Sequence, residues 1–234
     1  MPIPAILSFD TKTALIETAA ENAELILRNS VSERQQAILL AAGGSTPGPV
    51  YEALSTRQLP WSSISLGLTD ERWVAPSSPA SNEKLVRETF ADALAAGLTF
   101  IPMVTDANLD PESQVSQIAS TYMAICQAPD LIVLGMGSDA HTLSWFAGAQ
   151  GISAAMAPSA VSPIAAITAE ESAVTGPNTQ RITLTRPVIS AARHVLLLIT
   201  GAEKRRALET SSAETPVQHM IAAAGNRLSI YWSP

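Results

Sequence analysis

The feature that most constrains this chain is alternation. Short apolar runs, each ending in glycines or polar turn residues, are separated by longer stretches with helical spacing. Ala37 to Gly44 (AILLAAGG), Ile64 to Leu68, Leu131 to Leu134 and Val195 to Thr200 are the clearest runs. They are too short for helices; Ile64 to Leu68 is strand-like, and the other runs, without polar alternate positions, read as buried strands. Between them the spacing predicts helices from Asp10 or Thr11 to about Asn29, from Pro47 through Leu54, from Glu83 to Leu94, from Pro111 to about Cys126, and from Ala202. A helix over Pro216 to Ala224 and a strand over Leu228 to Trp232 close the sequence. Strands alternating with helices imply an α/β, Rossmann-like fold: a mostly parallel sheet with helices on both faces. Residues 147–180 are less regular, with strand candidates at Ile164 to Thr168 and Arg181 to Leu184. No linker or internal repeat divides the chain, so residues 1–234 are expected to form one domain.

Composition limits the function. The chain is 47% hydrophobic and only 15% charged, with a net charge of −7. Nucleic-acid binding needs a basic surface that displaces counterions, and no basic run supplies one. No apolar run approaches the roughly 20 residues of a membrane span, and the first residues lack a basic segment followed by a long apolar stretch. A cytoplasmic location is therefore expected. The one cysteine, Cys126, cannot form an internal disulfide, and no Cys/His spacing suggests a metal. No metal or cofactor is expected. No pattern in the chain sets an oligomeric state.

Ligands of such sheets bind beyond the carboxyl ends of the strands. Three chemically loaded segments follow apolar strands. Gly43-Gly44-Ser45-Thr46-Pro47 combines two glycines, two hydroxyls and a proline at a helix start, with Thr46 read as the N-cap. Close backbone approach and exposed amides at a helix N-terminus favour a phosphate, although the Gly-Lys-Ser/Thr ending of a P-loop is missing. An ordinary capped turn would look the same. Thr69-Asp70-Glu71-Arg72 puts two carboxylates and an anion-binding arginine at a strand end, where a plain surface turn is the simpler reading. Gly135-Met136-Gly137-Ser138-Asp139-Ala140-His141 contains a G-x-G-x-x-A match to the dinucleotide fingerprint. No acidic residue follows about 20 positions on, as a nicotinamide site requires, so the match is read as a glycine turn. Its useful group is His141, whose ordinary pKa suits a base at neutral pH. His194 and His219 read as structural. Arg181 and Lys204 read as surface charges unless the fold brings them to the cradle.

In order along the chain, AAGGSTP, LTDERWV, the Ser81-Asn82 pair, PDLIVLGMG with DAHT, RITLTRPVISAARH and LLITGAEKR resemble the 6-phosphogluconolactonase family. The resemblance spans most of residues 41–206. It implies the fold of the sugar-phosphate isomerase/lactonase group and hydrolysis of a small phosphorylated sugar lactone, 6-phospho-D-glucono-1,5-lactone, to 6-phosphogluconate, a step of the oxidative pentose phosphate pathway. It implies His141 as the base that activates water, with Asp70 orienting water or substrate. Gly43, Gly44, Ser45, Thr46, Arg72, Asn82, Gly137, Arg181 and Lys204 would contact the phosphate or sugar. The chain departs from the family pattern at Ser138, Ala140 and Ala147. Ala140 stands where the family has glycine; a positive φ there would strain alanine. Two rivals follow: an isomerase or deaminase recruiting Asp70, Glu71 and His141, and a sugar-phosphate-binding module with weakened catalysis.

Overall fold

The structure is a computed structural model describing residues 3–234. Met1 and Pro2, which open the segment read for a leader, lie outside the described residues. The strands are β1 (Ile6–Ser8), β2 (Ala37–Ala41), β3 (Ile64–Leu68), β4 (Asp70–Arg72), β5 (Thr99–Phe100), β6 (Leu131–Gly135), β7 (Ile164–Thr168), β8 (Gln180–Leu184), β9 (His194–Thr200) and β10 (Leu228–Ser233). The helices are α1 (Lys12–Arg34), α2 (Pro47–Ser55), α3 (Asn82–Thr89), α4 (Ala91–Ala95), α5 (Pro111–Cys126), α6 (Ile152–Met156), α7 (Arg186–Ala191), α8 (Ala202–Glu209) and α9 (Pro216–Ala224).

Seven strands form one parallel sheet in the order β1-β10-β9-β6-β2-β3-β5. Its centre is apolar and closed to solvent. Leu39, Leu40, Leu66, Ile132, Leu134, Leu196, Leu197 and Leu198 are each at most 1% exposed. Burying each such side chain stabilises the fold by about 1.5–3 kcal/mol before cavity effects. Register follows the pattern, with Leu39 opposite both Leu66 and Leu131. The apolar runs read from sequence are thus the sheet's central strands, and the α/β expectation holds.

Local signals set the helix ends. The Thr11 side chain caps α1 by accepting from the Ala14 amide at 3.1 Å. The helix runs past Asn29 to Arg34, because Ser30 is still buried and the stop comes only at Gln35, which turns left-handed with φ 61°. Asp110 caps α5, with Pro111 in the first turn. The single helix expected over Glu83 to Leu94 is two. Phe90 leaves helical geometry between them, and its ring stacks on Tyr51 with centroids 5.1 Å apart.

Three short strands escape a periodicity reading: β1, β4 and β5. The segment Asp70-Glu71-Arg72, read as a turn, is the edge strand of a second, antiparallel sheet, β4-β8-β7. This small sheet stands at the carboxyl end of β3, since only Thr69 separates that strand from β4. No helix of the described residues is long and apolar enough to cross a membrane.

Candidate active site

One cleft of about 390 Å³ lies where β2, β6 and β9 end and the small sheet begins. Gly43, Gly44, Ser45, Thr46, Asp70, Arg72, Asn82, Gly137, His141, Arg181 and Lys204 all line it. Eleven residues read from six separate stretches of sequence therefore meet at one place. The strand-end rule brings three of the stretches together, and the antiparallel pairing of Arg72 with Arg181 brings in a fourth.

The first wall is the glycine turn after β2. Gly44 has φ +118°, a conformation glycine adopts without a side-chain penalty. A Cβ on Gly43 would fall 2.0 Å from Asn82 Oδ1, so only glycine lets the Asn82 side chain come this close. Thr46 does stand before Pro47, but it does not cap with its side chain. Its backbone is already helical, and its hydroxyl lies 3.3 Å from that of Thr200. No side chain caps α2, but Pro47 and Pro49 carry no N–H and the Gly48 amide donates to the Gly44 carbonyl at 3.1 Å. What faces an anion here is therefore the turn before the helix and the helix's positive end, not the helix's own first amides.

The second wall is the turn after β6. It opens no helix, which removes the dinucleotide reading on structural grounds. The chain instead doubles back, with the Gly137 amide donating to the His141 carbonyl at 3.0 Å and the Ala140 amide donating to the Gly137 carbonyl at 3.2 Å. Ala140 is buried with φ 63°, the left-handed region that favours glycine. A Cβ on Gly137 would lie 2.2 Å from His141 Nδ1. His141 Nδ1 is hydrogen-bonded to Asp139 Oδ1 at 2.5 Å, and the imidazole lies on Phe146 with centroids 4.3 Å apart. Burial works against the charge of Asp139. The hydrogen bonds from His141 outweigh it and hold the carboxyl below the usual carboxylate range. With Nδ1 engaged by a carboxylate, the Nε2 position is left to accept a proton.

The third wall is cationic. Arg72 and Arg181 face each other directly across β4 and β8, a pairing of like charges that costs energy unless something relieves it. Arg181 is only 4% exposed. Its Nε and one terminal nitrogen donate to the Asn178 and Thr175 carbonyls, and its guanidinium lies 5.5 Å from the centre of the Phe146 ring. Burial pulls it below the ordinary arginine range and Arg72 adds to this, with Asp70 and Glu71 opposing. Burial also lowers Lys204, against the pull of Glu203 and Asp139. Among the described residues none of Arg72, Arg181 and Lys204 is spent in a direct ion pair.

Asp70 is held differently from expectation. One carboxylate oxygen accepts from the Ser144 hydroxyl at 2.7 Å and the other from the Thr69 hydroxyl at 3.1 Å. Its contacts tie the strand to the turn that follows His141. Asp139, Ser144 and Phe146 are site residues that sequence reasoning missed. The spacing Asp139-x-His141 was the available signal for the first. Cys126 is buried, and burial pushes its thiol up to about 12, which removes it as a nucleophile at neutral pH. His194 is exposed at the opposite end of β9 from the cleft. Among the described residues no group of three or more His, Cys, Asp or Glu side chains is placed to hold a metal.

Comparison with known proteins extends the same pattern over the whole chain. The family described as glucosamine-6-phosphate isomerases/6-phosphogluconolactonase matches residues 10–232. A 6-phosphogluconolactonase of Xylella fastidiosa is 34% identical over 232 residues, covering 97% of this chain and 95% of its own length. One from Pseudomonas aeruginosa is 36% identical over 211 residues, covering 89% of this chain and 86% of its own. The crystal structure of a 6-phosphogluconolactonase from Shewanella baltica superimposes with a TM-score of 0.86 at 30% identity, covering 99% of each chain.

Proposed function

The chain belongs to the glucosamine-6-phosphate isomerase/6-phosphogluconolactonase family, and from that premise we propose that it hydrolyses 6-phospho-D-glucono-1,5-lactone to 6-phosphogluconate. One observation carries the reading. An oriented histidine–carboxylate pair and three cations outside any direct ion pair, Arg72, Arg181 and Lys204, share one cleft. A phosphorylated lactone needs both: an anion site for its remote phosphate and a base beside its carbonyl.

The chemistry runs in two steps. His141 Nε2 removes a proton from water as the water oxygen attacks C1, and Asp139 stabilises the imidazolium that forms. Charge moves onto the former carbonyl oxygen, which preorganised donors must meet. The amides of the glycine turn after β2 and the nearby cations are suited to this. The tetrahedral intermediate then expels the ring oxygen, which takes the proton from His141. The product acid loses its proton to solvent. Phosphate held by the glycine turn before α2 and the cations fixes the remote end, so that C1 meets the base in one orientation. Gly43, Gly44, Ser45, Thr46, Arg72, Asn82, Gly137, Arg181 and Lys204 are the binding residues in this reading. Asp70 keeps an indirect part through Ser144. The whole chain acts as one domain, as a cytosolic enzyme of the oxidative pentose phosphate pathway.

The family description also admits an isomerase. That chemistry needs a second acid/base group free to move a proton between adjacent carbons. Glu71, one recruit for that part, is 1% exposed and accepts four hydrogen bonds from the protein, which leaves it no access to substrate. Ammonia release from glucosamine 6-phosphate would support the isomerase. Lactone hydrolysis well above the spontaneous rate, without ammonia release, is the outcome expected here.

A further inference from the structure

Glu71 is a buried carboxylate that the proposed reaction does not use. It stands on β4 between Asp70 and Arg72, and among the described residues it has no cationic partner within salt-bridge distance. All its acceptor capacity is spent on one small region. Oε1 accepts from its neighbour Arg72's amide and from the Asn82 amide, both at 2.7 Å. Oε2 accepts from the Ser81 hydroxyl at 2.9 Å and from the Glu83 amide at 2.7 Å. Ser81 is the N-cap of α3, so the carboxylate seals the start of that helix, where an anion is favoured.

The consequence lies one residue away on each side. Asn82, whose amide Glu71 holds, donates from its side chain to the Asp70 carbonyl at 2.8 Å. Its Oδ1 fills the space above Gly43 that any side chain there would need. Arg72, whose amide Glu71 also holds, donates from its guanidinium to the Ala80 carbonyl at 2.6 Å. Ala80 directly precedes the Ser81 that Glu71 grips. The segment 73–81, which leaves β4 and returns to α3, is thus fastened at both ends by one side chain. Asn82, Arg72 and the Gly43 turn take their places from it.

We propose that Glu71 is a positioning residue for substrate binding, whose carboxylate locks the N-terminal turn of α3 to β4 and so sets where Arg72 and Asn82 stand in the cleft. This rests on the lactonase reading and deepens it. His141 and Asp139 lie on the turn after β6, outside this set of bonds. Glu71 therefore acts on KM rather than on kcat.

Glu71→Gln is close in shape, but it turns an amide NH2 toward donors that need an acceptor. Loss of charge-assisted hydrogen bonds of this kind is expected to raise KM for the lactone by about tenfold or more, with kcat within about threefold of wild type. A double-mutant cycle with Asn82→Ala separates positioning from bulk stability. In the Asn82→Ala background, Glu71→Gln should raise KM much less than in wild type. Ser81→Ala, which removes one of the four donors and keeps the carboxylate, should give a smaller rise and serves if Glu71→Gln does not fold. Folded variants with unchanged KM, or effects of Glu71→Gln and Asn82→Ala that simply multiply, would overturn the proposal and leave the lactonase reading intact. If wild type fails to hydrolyse the lactone, that reading falls first. The cycle is then read from the Kd of 6-phosphogluconate, with the same expected pattern, and absence of binding by wild type would overturn the proposal as well.

Discussion

The two sheets solve different problems. The seven-stranded sheet is filled with leucine, isoleucine and valine, and its stability comes from apolar area removed from water. The three-stranded sheet buries Asp70, Glu71, Arg181 and Thr183, each at most 7% exposed, and holds them with hydrogen bonds. Burying such groups adds little net stability, because desolvation offsets most of what the bonds return. Its value is placement. Glu71 holds the amides of Arg72 and Asn82, and Asp70, Arg72 and Arg181 line the cleft themselves. The large sheet makes the scaffold stable and the small one makes the cleft specific.

That division can be broken most visibly in the large sheet. Leu40 is fully buried at the centre of β2, and Leu40→Ala should cost about 2–5 kcal/mol of stability while the folded fraction keeps its KM. Urea unfolding and steady-state assays on one preparation check both halves. A KM shift as large as the stability loss would erase the distinction. Next comes Gly137→Ala. The new methyl would displace the His141 ring, and a misplacement of about 1 Å is expected to lower kcat about 10²-fold with little change in melting temperature. Arg72→Ala should weaken 6-phosphogluconate binding by about tenfold and gluconate hardly at all, as read by calorimetry. Equal weakening of both ligands would argue against a phosphate contact.

The smallest effects sharpen the picture at the catalytic turn. Ala140→Gly relieves a left-handed alanine, worth about 1–2 kcal/mol of strain. Against this, glycine gains freedom in the unfolded chain, about 0.4–1 kcal/mol. A net stabilisation of about 0–1.6 kcal/mol is expected, seen as a slightly higher denaturation midpoint. Asp139 adds a pH signature. Its carboxyl titrates lower in the folded chain than in the unfolded one, so below the usual carboxylate range the unfolded state binds more protons. The stabilising contribution is complete above that range and is lost as pH falls through the depressed folded value. Asp139→Asn should flatten this acid-side slope, measured as the difference between urea midpoints of the two proteins from neutral pH downward.

The same contrast explains what could be read in advance. Apolar runs such as Leu131 to Leu134 announce themselves because burial on both faces leaves no polar position. Residues 43–46, 70–72 and 137–141 stood out because each follows such a run. β4 stayed hidden because Asp70-Glu71-Arg72 looks like a solvated turn, and only its pairing with β8 makes it a strand. β1 and β5 have too few residues to show a period. The Asp139–His141 pair depends on a fold-back that Gly137 permits and Ala140 strains to complete, which spacing alone does not reveal. The hold of Glu71 on Asn82 joins residues that are local in space but separated by an irregular loop.

The central claim is that His141, oriented by Asp139 in the cleft, activates water against a phosphorylated lactone. The direct measurement is hydrolysis of freshly generated 6-phosphogluconolactone by wild type and by His141→Ala, each against the spontaneous rate. The account predicts a large enhancement in wild type that falls by about 10²–10⁴-fold in the variant, with unchanged fold and retained 6-phosphogluconate binding. A folded wild type that does not accelerate the reaction, or a variant as fast as wild type, would contradict it.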